Sequence, residues 1–356
     1  MLRDTSKPPV EVIQKFAKDH HIYYSLTLYN PEQNTDKIEA RFSESRTQAI
    51  LDGPSKNYSV CIARLNVPST SIPVLDGIST RGFSVTLSWS GSDFQSAVGN
   101  NPPSNIPSEQ GMVFSFQMFC HAINEAFASS YQALMTAFPL FPGTEQPMLI
   151  WNPDGEYFYI RVPADWPLWT DPTGYTIFFS HQLAEILQGF PYFFTVPFGS
   201  NPNGKDAALQ IAEDTGDNFI TYRGNDYFKF PQNNGPSTGP MFDISSVAVI
   251  SNGLNISFQM QSNPLFQGQQ VSLNIVTDFE PVFGGGGGLI DTACSSPLQL
   301  NPNFLRMIPL QGDGPIYNMD LSFWRLNRNN QASIIYLNPG EHLSCLVCFI
   351  ENGLSN

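Results

Sequence analysis

Residues 83–90 read Phe-Ser-Val-Thr-Leu-Ser-Trp-Ser, so every second side chain is apolar and the others are small and polar. A period of two is the pattern of a β-strand that buries one of its two faces. Residues 254–261, 271–275 and 318–323 repeat this pattern. These stretches predict a protein built mainly from strands, each with a core-facing side and a polar side.

Less regular runs of the same kind extend the predicted strands over the whole chain. They lie at residues 22–29, 58–67, 156–162, 175–179, 218–223, 243–250, 333–337 and 343–350. The polar positions carry Ser, Thr, Asn and Gln rather than Lys and Glu. Because charged residues are depleted at subunit interfaces, such faces suit contact with another sheet or subunit better than open water.

Few segments have helical spacing. Residues 10–20 carry an apolar stripe at helical spacing after two prolines, which predicts a short N-terminal helix. Residues 115–137 give the strongest helical pattern, with Ser115 as the predicted N-cap. A third, short helix is predicted over residues 181–188 and ends at Gly189.

Short strands separated by long loops, with few helices, predict an all-β fold. We expect a jelly-roll β-sandwich, either single with an inserted domain or double. A boundary near residue 200 leaves similar numbers of strands on each side. The predicted organisation is an N-terminal arm or helix (1–21), a first β-sandwich domain with helix 115–137 (22–200) and a second β-sandwich domain (201–356).

The amino-acid composition and the net charge disfavour several classes of protein. The chain of 356 residues has 17 Lys and Arg against 31 Asp and Glu, a net charge of −14, which disfavours nucleic-acid binding. Only 13% of residues are charged, against about 25% in an average globular protein. The sequence shows neither an apolar run of transmembrane length nor a secretion signal. Five cysteines, an odd number, fit free thiols in a protein made in a reducing compartment.

The sequence carries none of the common nucleotide-binding, metalloprotease or hydrolase motifs, so we predict no catalytic, cofactor-binding or metal-binding residue and do not expect an enzyme. Cys345 and Cys348 have a metal-like spacing, but on a strand they point to opposite faces and are predicted to be structural thiols. The acidic pairs Glu39 with Glu44 and Asp214 with Asp217 would suit a glycosidase or a calcium site. Solvated loop faces explain both pairs more simply, and the five histidines are interpreted as packing or capping residues.

Two aromatic clusters leave two interpretations open. They comprise Trp151, Tyr157, Phe158, Tyr159, Trp166 and Trp169, followed by Phe178, Phe179, Phe190, Tyr192, Phe193 and Phe194. Exposed Trp and Tyr rings would form a platform for carbohydrate. A β-sandwich core or a subunit interface uses the same residue types.

Three parts of the chain together carry a resemblance to a known family. The first comprises Arg46-Thr-Gln-Ala-Ile-Leu-Asp-Gly-Pro-Ser55, Tyr58-Ser-Val-Cys-Ile-Ala-Arg64 and the stretch from Pro68 to Pro73. The second comprises helix 115–137, Leu149-Ile-Trp-Asn-Pro-Asp-Gly-Glu-Tyr-Phe158 and Ser180-His-Gln-Leu-Ala-Glu-Ile-Leu-Gln-Gly-Phe190. The third comprises Met319-Asp-Leu-Ser-Phe-Trp324, Tyr336-Leu-Asn-Pro-Gly-Glu341 and the final strand to Ile350. This arrangement resembles the jelly-roll capsid proteins of virophages, polintons and polinton-like DNA viruses.

The resemblance implies a capsid structural protein that forms a capsomer of an icosahedral shell and is located in the virion. A penton or minor capsid protein would assemble as a pentamer, and a small double-jelly-roll major capsid protein as a trimer. Expected partners are further copies of the chain, other capsid proteins and a host receptor. The alternative function is a carbohydrate- or receptor-binding module like that of a fibre or adhesin.

The segments expected to make interfaces follow from this reading. They are residues 10–20, the loops 90–110 and 231–240, and the five glycines 284–288. Residues 1–20 carry four basic and three acidic side chains, a net charge of only +1. That charge disfavours direct genome binding and favours contact between this arm and a neighbouring subunit.

Overall fold

The computed structural model of the chain describes residues 10–18, 21–75, 77–78, 81–99, 111–155, 157–166, 175–194, 205–209, 219–232, 244–256, 261–262, 265–266, 269–270, 273–279, 297–300, 305–327 and 331–352. The strands before the first helix are β1 (Val10–Lys18), β2 (His21–Tyr29), β3 (Ile38–Glu39), β4 (Arg41–Ser45), β5 (Tyr58–Pro68), β6 (Ser84–Trp89) and β7 (Ser92–Ala97). Helix α1 (Phe116–Ala137) follows, then β8 (Met148–Asn152), β9 (Tyr157–Pro163), β10 (Thr176–Phe179) and helix α2 (His181–Ile186).

The remaining strands are short except near the C-terminus. They are β11 (Tyr192–Phe194), β12 (Ala207–Leu209), β13 (Phe219–Tyr222), β14 (Asn225–Pro231), β15 (Ile244–Ile250), β16 (Gln261–Ser262), β17 (Leu265–Phe266), β18 (Gln269–Gln270), β19 (Leu273–Phe279), β20 (Pro297–Leu300), β21 (Ile308–Pro309), β22 (Asn318–Asn327), β23 (Ala332–Ile334), β24 (Tyr336–Leu337) and β25 (His342–Glu351).

The chain forms two compact units. Met1–Ile72 and Ile244–Asn356 make one, here called the sandwich unit, and Pro73–Asp243 makes the other, the inserted unit. These units differ from the predicted domains 22–200 and 201–356. The reason is long-range pairing, because β25 at the C-terminal end lies between β2 and β5 from the N-terminal end.

The strand order of the sandwich unit is that of a jelly roll. Its first sheet runs β1-β2-β25-β5-β20, with β21 also beside β5, and its second runs β16-β19-β15-β22-β23, with β4 also beside β22. The chain passes between the sheets in the order β2, β4, β5, β15, β19, β20, β22 and β25, which gives the two interlocked Greek keys of this fold. The predicted jelly-roll class is thereby confirmed, and the inserted unit interrupts it between β5 and β15.

Aliphatic side chains from both sheets fill the core of the sandwich unit. Leu26 of β2, Ile62 of β5 and Val347 of β25 pack in one cluster with Val249 of β15 and Leu321 of β22, and all are fully buried. Along β2, for example, buried positions alternate with half-buried ones, as the period of two predicts. Burial of these side chains away from water is the main term that holds the sheets together.

The inserted unit also has two main sheets, and a long helix contacts both. One sheet runs β11-β12-β10-β6-β7 and the other β13-β14-β9-β8. Ser115 caps α1 as predicted, because its hydroxyl accepts a hydrogen bond from the Met118 amide at 3.1 Å. Along α1, Phe119 contacts Phe158 of β9 at a ring-centroid distance of 5.8 Å, and Phe127 contacts Phe179 of β10 at 6.1 Å. No helix in the described ranges is long and apolar enough to span a membrane.

Residues 10–18 form strand β1, so the predicted N-terminal helix over residues 10–20 is wrong. β1 pairs antiparallel with β2 along its whole length, with a register shift between Val12 and Gln14. A β-bulge of this kind inserts one residue and breaks the period of two. The apolar residues then recur at three-residue steps, which imitates a helical stripe. The β-branched residues Val10, Val12 and Ile13 favour the strand.

Candidate interaction surfaces

The structure places only parts of the four predicted interface segments. Residues 10–18 form β1, the edge strand of the first sheet of the sandwich unit. In the predicted loop 90–110, residues 92–97 form β7, and residues 100–110 lie outside the described residues. Of loop 231–240 only the first two residues are described, and the glycines 284–288 lie outside the described residues.

The first sheet of the sandwich unit has an outer face, turned away from the core, that we call the seam face. It is formed by the half-buried side chains of Tyr23, Ser25, Thr27, Asn66, Ser344 and Leu346. Asn66 donates to the Ser344 hydroxyl at 2.9 Å across the strands. These six side chains are uncharged, and the exposed Arg64 of β5, directly opposite Leu346, adds one charge beside them. Such a predominantly uncharged composition favours burial against another protein surface.

The described cysteines of the sandwich unit lie on both faces of its first sheet. Cys345 points into the aliphatic core, whereas Cys348 lies on the opposite face, directly across from Cys61 on β5 and Tyr23 on β2. Cys61 and Tyr23 hydrogen-bond to the Cys348 sulfur, and the Cys61 contact holds the pKa of Cys348 below its ordinary value. The same contact, together with burial, raises the pKa of Cys61. The strand spacing therefore predicted the opposite orientations of Cys345 and Cys348 correctly.

A carboxylate network holds the point where the chain leaves the sandwich unit. Glu341 accepts hydrogen bonds from the hydroxyl of Thr70 and, at 2.7 Å, from that of Ser71. It also accepts from the backbone amide of Asn338 at 2.7 Å. These bonds fix the segment just before Ile72, the last residue of the sandwich unit before the insertion.

The aromatic cluster predicted at residues 151–169 is split by the structure. Trp166 is buried and contacts Tyr175 at a ring-centroid distance of 3.8 Å, and Trp151 packs on Phe116 at 4.3 Å. Phe158 is fully buried beside them. These rings belong to the core, and Trp169 lies outside the described residues. Tyr157 and Tyr159 flank Phe158 on β9 and therefore point to the opposite face of the sheet.

On that opposite face, tyrosine rings and cationic side chains form a surface that we call the cationic tyrosine face. The Arg161 guanidinium lies 4.4 Å from the ring centroid of Tyr227 and 4.9 Å from that of Tyr222. The Lys229 ammonium lies 4.7 Å from the ring centroid of Tyr159, and it donates to the Tyr157 hydroxyl at 2.9 Å. This hydrogen bond holds the pKa of Tyr157 below its ordinary value.

The sequence analysis named Tyr157 and Tyr159 as part of a possible carbohydrate platform, but it missed the cationic residues of this surface. Its local signal is the alternation of Tyr157, Tyr159 and Arg161 along β9, and of Tyr227 and Lys229 along β14. The decisive fact is the register, which puts Lys229 directly opposite Arg161. Register between strands so far apart in sequence is not written in either strand alone.

The acidic and histidine candidates do not assemble into a reactive site among the described residues. Glu39 pairs with Arg41 and Glu44 with Arg46, each at 2.6 Å, so each carboxylate has its own arginine. Asp214 and Asp217 lie outside the described residues. In the described ranges, no group of three or more His, Cys, Asp or Glu side chains converges as metal ligands would.

Most of the sequence matches a family of viral capsid proteins. Residues 82–351 match the family model described as Sputnik minor capsid protein V18/19. Structural protein V19 of Sputnik virophage is 25% identical over 177 residues, which are 44% of this chain and 72% of that protein.

Two solved structures share the fold. A chain in the cryo-EM structure of the Sputnik virophage superposes with a TM-score of 0.70 at 18% identity, over 95% of this chain and 100% of that one. The crystal structure of the mavirus penton protein superposes with a TM-score of 0.62 at 15% identity, over 93% and 99% of the two chains. Since the family model covers well over half of the sequence, the chain belongs to the Sputnik minor capsid protein V18/19 family and is a structural protein of a viral capsid.

Proposed function

We propose that this chain is the penton-type capsomer protein of its virion and works as a homopentamer within an icosahedral shell. The observation that carries the proposal is the single jelly roll, closed by both ends of the chain and interrupted by one inserted unit. A double-jelly-roll major capsid protein would need a second complete sandwich. The similarity to the mavirus penton protein supports the same role.

The seam face is proposed as the contact between neighbouring copies. Its exposed groups are mainly hydroxyls, amides and short apolar side chains, which lose little when water is removed from them and a partner forms the hydrogen bonds. A charged surface of the same area would cost more to desolvate.

The edge strand β1 is proposed as the second contact between copies. Strands at the edge of a sheet expose backbone donors and acceptors that pair readily with another chain. The N-terminal arm was expected to contact a neighbouring subunit through a helix. We propose that it makes this contact through strand β1 instead. The arm carries too little positive charge to package a genome.

The thiols support synthesis in the reducing interior of a host cell before the virion is released. Cys61, Cys120, Cys345 and Cys348 are all buried and free. A protein folded in an oxidising compartment tends to pair such residues in disulfides.

The stoichiometry is tested by native mass spectrometry and negative-stain microscopy of the full chain. We expect rings of five copies, each of 39.5 kDa. Trimers, or a monomer at concentrations well above those of a virus-producing cell, would contradict the proposal.

The seam face is tested with a matched pair of substitutions. Thr27→Arg puts a charge on the seam face, and Thr136→Arg puts the same charge on an exposed turn of α1. We expect Thr27→Arg to dissociate the pentamer and Thr136→Arg to leave it intact. If both variants dissociated the pentamer, or neither did, the seam face would not be the contact between copies.

A further inference from the structure

The cationic tyrosine face is unusual because its positive charges have no acidic partner among the described residues. The chain has a net charge of −14. In the part of the chain that the structure describes, no carboxylate forms an ion pair with Arg161, Arg223 or Lys229. Elsewhere in the inserted unit, by contrast, Lys205 is bound by Asp93 at 2.7 Å.

Two of these cations are placed against each other. Lys229 and Arg161 are direct cross-strand partners on β14 and β9, an arrangement that costs free energy when the charges are alike. Tyrosine rings hold them instead of carboxylates, and cation–π contacts of this kind leave most of the N–H donors available. Arg161 uses one of its donors on the Met148 sulfur at 3.1 Å.

Arg223 adds a third cation at the rim of the same face. It lies in the two-residue turn between β13 and β14, with φ at +51°, and its guanidinium is 5.3 Å from the ring centroid of Tyr222. Long side chains are uncommon at such a left-handed position, where Asn or Gly is preferred. The turn therefore keeps a cation at a conformational cost.

Two acidic groups beside this face are engaged in other bonds. Glu145 accepts from the Tyr227 hydroxyl at 2.8 Å and from the Asn225 amide at 3.3 Å. Asp226 accepts from the Thr221 hydroxyl at 2.7 Å. They border the face, and none of the described carboxylates pairs with its three cations.

We propose that the cationic tyrosine face binds an anionic carbohydrate, a sugar chain that carries carboxylate or sulfate groups. Arg and Lys would hold the anionic groups by charge-assisted hydrogen bonds, with Arg able to bind in a bidentate manner. The half-exposed rings of Tyr157 and Tyr159 and the exposed ring of Tyr222 offer flat apolar surfaces for the C–H faces of the sugar rings, with hydroxyl tips as further partners.

Nucleic acid fits this face less well. Its binding depends on neutralising a series of phosphates, and three cations on a strongly acidic chain provide a short series in an unfavourable long-range field. One or two charged sugar units match three cations better. The proposal goes beyond the capsomer function and does not depend on the pentamer.

The test is isothermal titration calorimetry of the full chain at low ionic strength with four probes. They are a heparin tetrasaccharide (sulfated), a hyaluronan tetrasaccharide (carboxylated), cellotetraose (neutral) and a short polyuridylate. We expect at least one anionic tetrasaccharide to bind at least about tenfold more tightly than cellotetraose, with an affinity that falls as salt is added. Binding of neither anionic tetrasaccharide, or equal binding of cellotetraose, would overturn the proposal.

Matched variants assign the binding to this face. Arg161→Gln combined with Lys229→Gln should weaken the anionic tetrasaccharide at least about tenfold, because charge-assisted bonds are lost. Arg41→Gln removes an exposed arginine of the second sheet of the sandwich unit and should leave the affinity unchanged. Lys229→Arg keeps the charge and should retain binding.

The stacking role is tested by a second matched pair. Tyr222 and Tyr317 are each 45% exposed, the first on this face and the second in the sandwich unit. Tyr222→Ala should weaken binding and Tyr317→Ala should not. Equal affinities for these two variants, or polyuridylate binding as tightly through the same residues, would refute a carbohydrate site. Native mass spectra of the same samples report assembly separately.

Discussion

The sandwich unit and the inserted unit each have two main sheets, but they fill their interiors differently. The sandwich unit interlocks aliphatic side chains from both of its sheets. The inserted unit places α1 in contact with both of its sheets and fills the remaining space with rings such as Phe116, Phe158 and Phe179. The sandwich core also contains rings, such as Phe42 and Phe323, but most of its members are aliphatic. In the inserted unit several rings pack against one another around α1, so more of its stability is concentrated in a few large side chains.

The largest expected effect follows from that concentration. Phe158→Ala removes a fully buried ring that contacts Phe116, Phe119 and Trp151. We expect a loss of about 3–5 kcal/mol in the stability of the inserted unit. Hydrogen exchange should show faster exchange in peptides 116–137 and 157–163, with peptides 58–68 and 342–351 unchanged.

The control is Phe193→Ala, which removes a ring that is 57% exposed in the same unit, and it should cost less than about 0.5 kcal/mol. If Phe158→Ala instead reduced protection from hydrogen exchange in both units, the two units would unfold as one cooperative structure. The difference drawn here between them would then be wrong.

In the sandwich unit the largest single-residue effect outside the core is expected at Glu341. Glu341→Ala leaves the hydroxyls of Thr70 and Ser71 and the Asn338 amide without their acceptor. The expected loss is about 1–3 kcal/mol, measured by thermal unfolding. Glu39→Ala, which breaks an exposed pair with Arg41, should cost at most about 1 kcal/mol. Equal losses would mean that the network at the exit point adds nothing.

Two glycines with similar backbone angles, one in each unit, differ in the space available for a side chain. Gly224 in the inserted unit has φ +85° and open space where the methyl group of an alanine would lie, whereas at Gly340 (φ +82°) that group would lie 3.2 Å from Cγ of Glu32. Gly224→Ala should cost about 1–2 kcal/mol from backbone strain alone. Gly340→Ala should cost slightly more, and adding Glu32→Ala should recover the difference in chemical denaturation. No recovery would show that contact with Glu32 is irrelevant.

The sandwich unit was the easier one to predict because its strands follow a local pattern. β2, β5, β15 and β25 begin and end within about two residues of the predicted strands, since alternation directly encodes which face is buried. What alternation does not encode is the partner of each strand. The pairing of β5 with β25 therefore stayed hidden, and with it the discontinuous sandwich unit.

The inserted unit was harder because aromatic residues serve both its core and its surface. Trp166 and Phe158 are core residues, while Tyr157 and Tyr159 face outward, and composition alone does not separate them. Strand β7 was missed because its sequence is polar. It forms because Ser90 and Gly91, both with positive φ, make a tight hairpin turn that brings it beside β6.

The smallest expected effect compares one ion pair in each unit. Partial burial alone would raise the pKa of Asp93, but hydrogen bonds from Lys205 and Ser88 outweigh it and hold that pKa below its ordinary value. A carboxyl with a lowered pKa in the folded state stabilises the protein above its unfolded pKa, and this contribution is lost as pH falls through the folded pKa. We therefore expect Asp93→Asn to lower stability by at most about 0.5 kcal/mol at neutral pH, because the pair is partly exposed and screened.

The difference between wild type and Asp93→Asn should then shrink as pH falls below about 4, the ordinary range of an aspartate. Asp313 in the sandwich unit is the matched case, since the hydrogen bond from Lys56 also lowers its pKa but the group is fully exposed. Asp313→Asn should produce no measurable change in chemical denaturation at either pH. Solvent screening is expected to erase the contribution of the exposed pair to stability. If Asp313→Asn lowered stability in a pH-dependent way as strongly as Asp93→Asn, partial burial would not explain the difference between the two ion pairs.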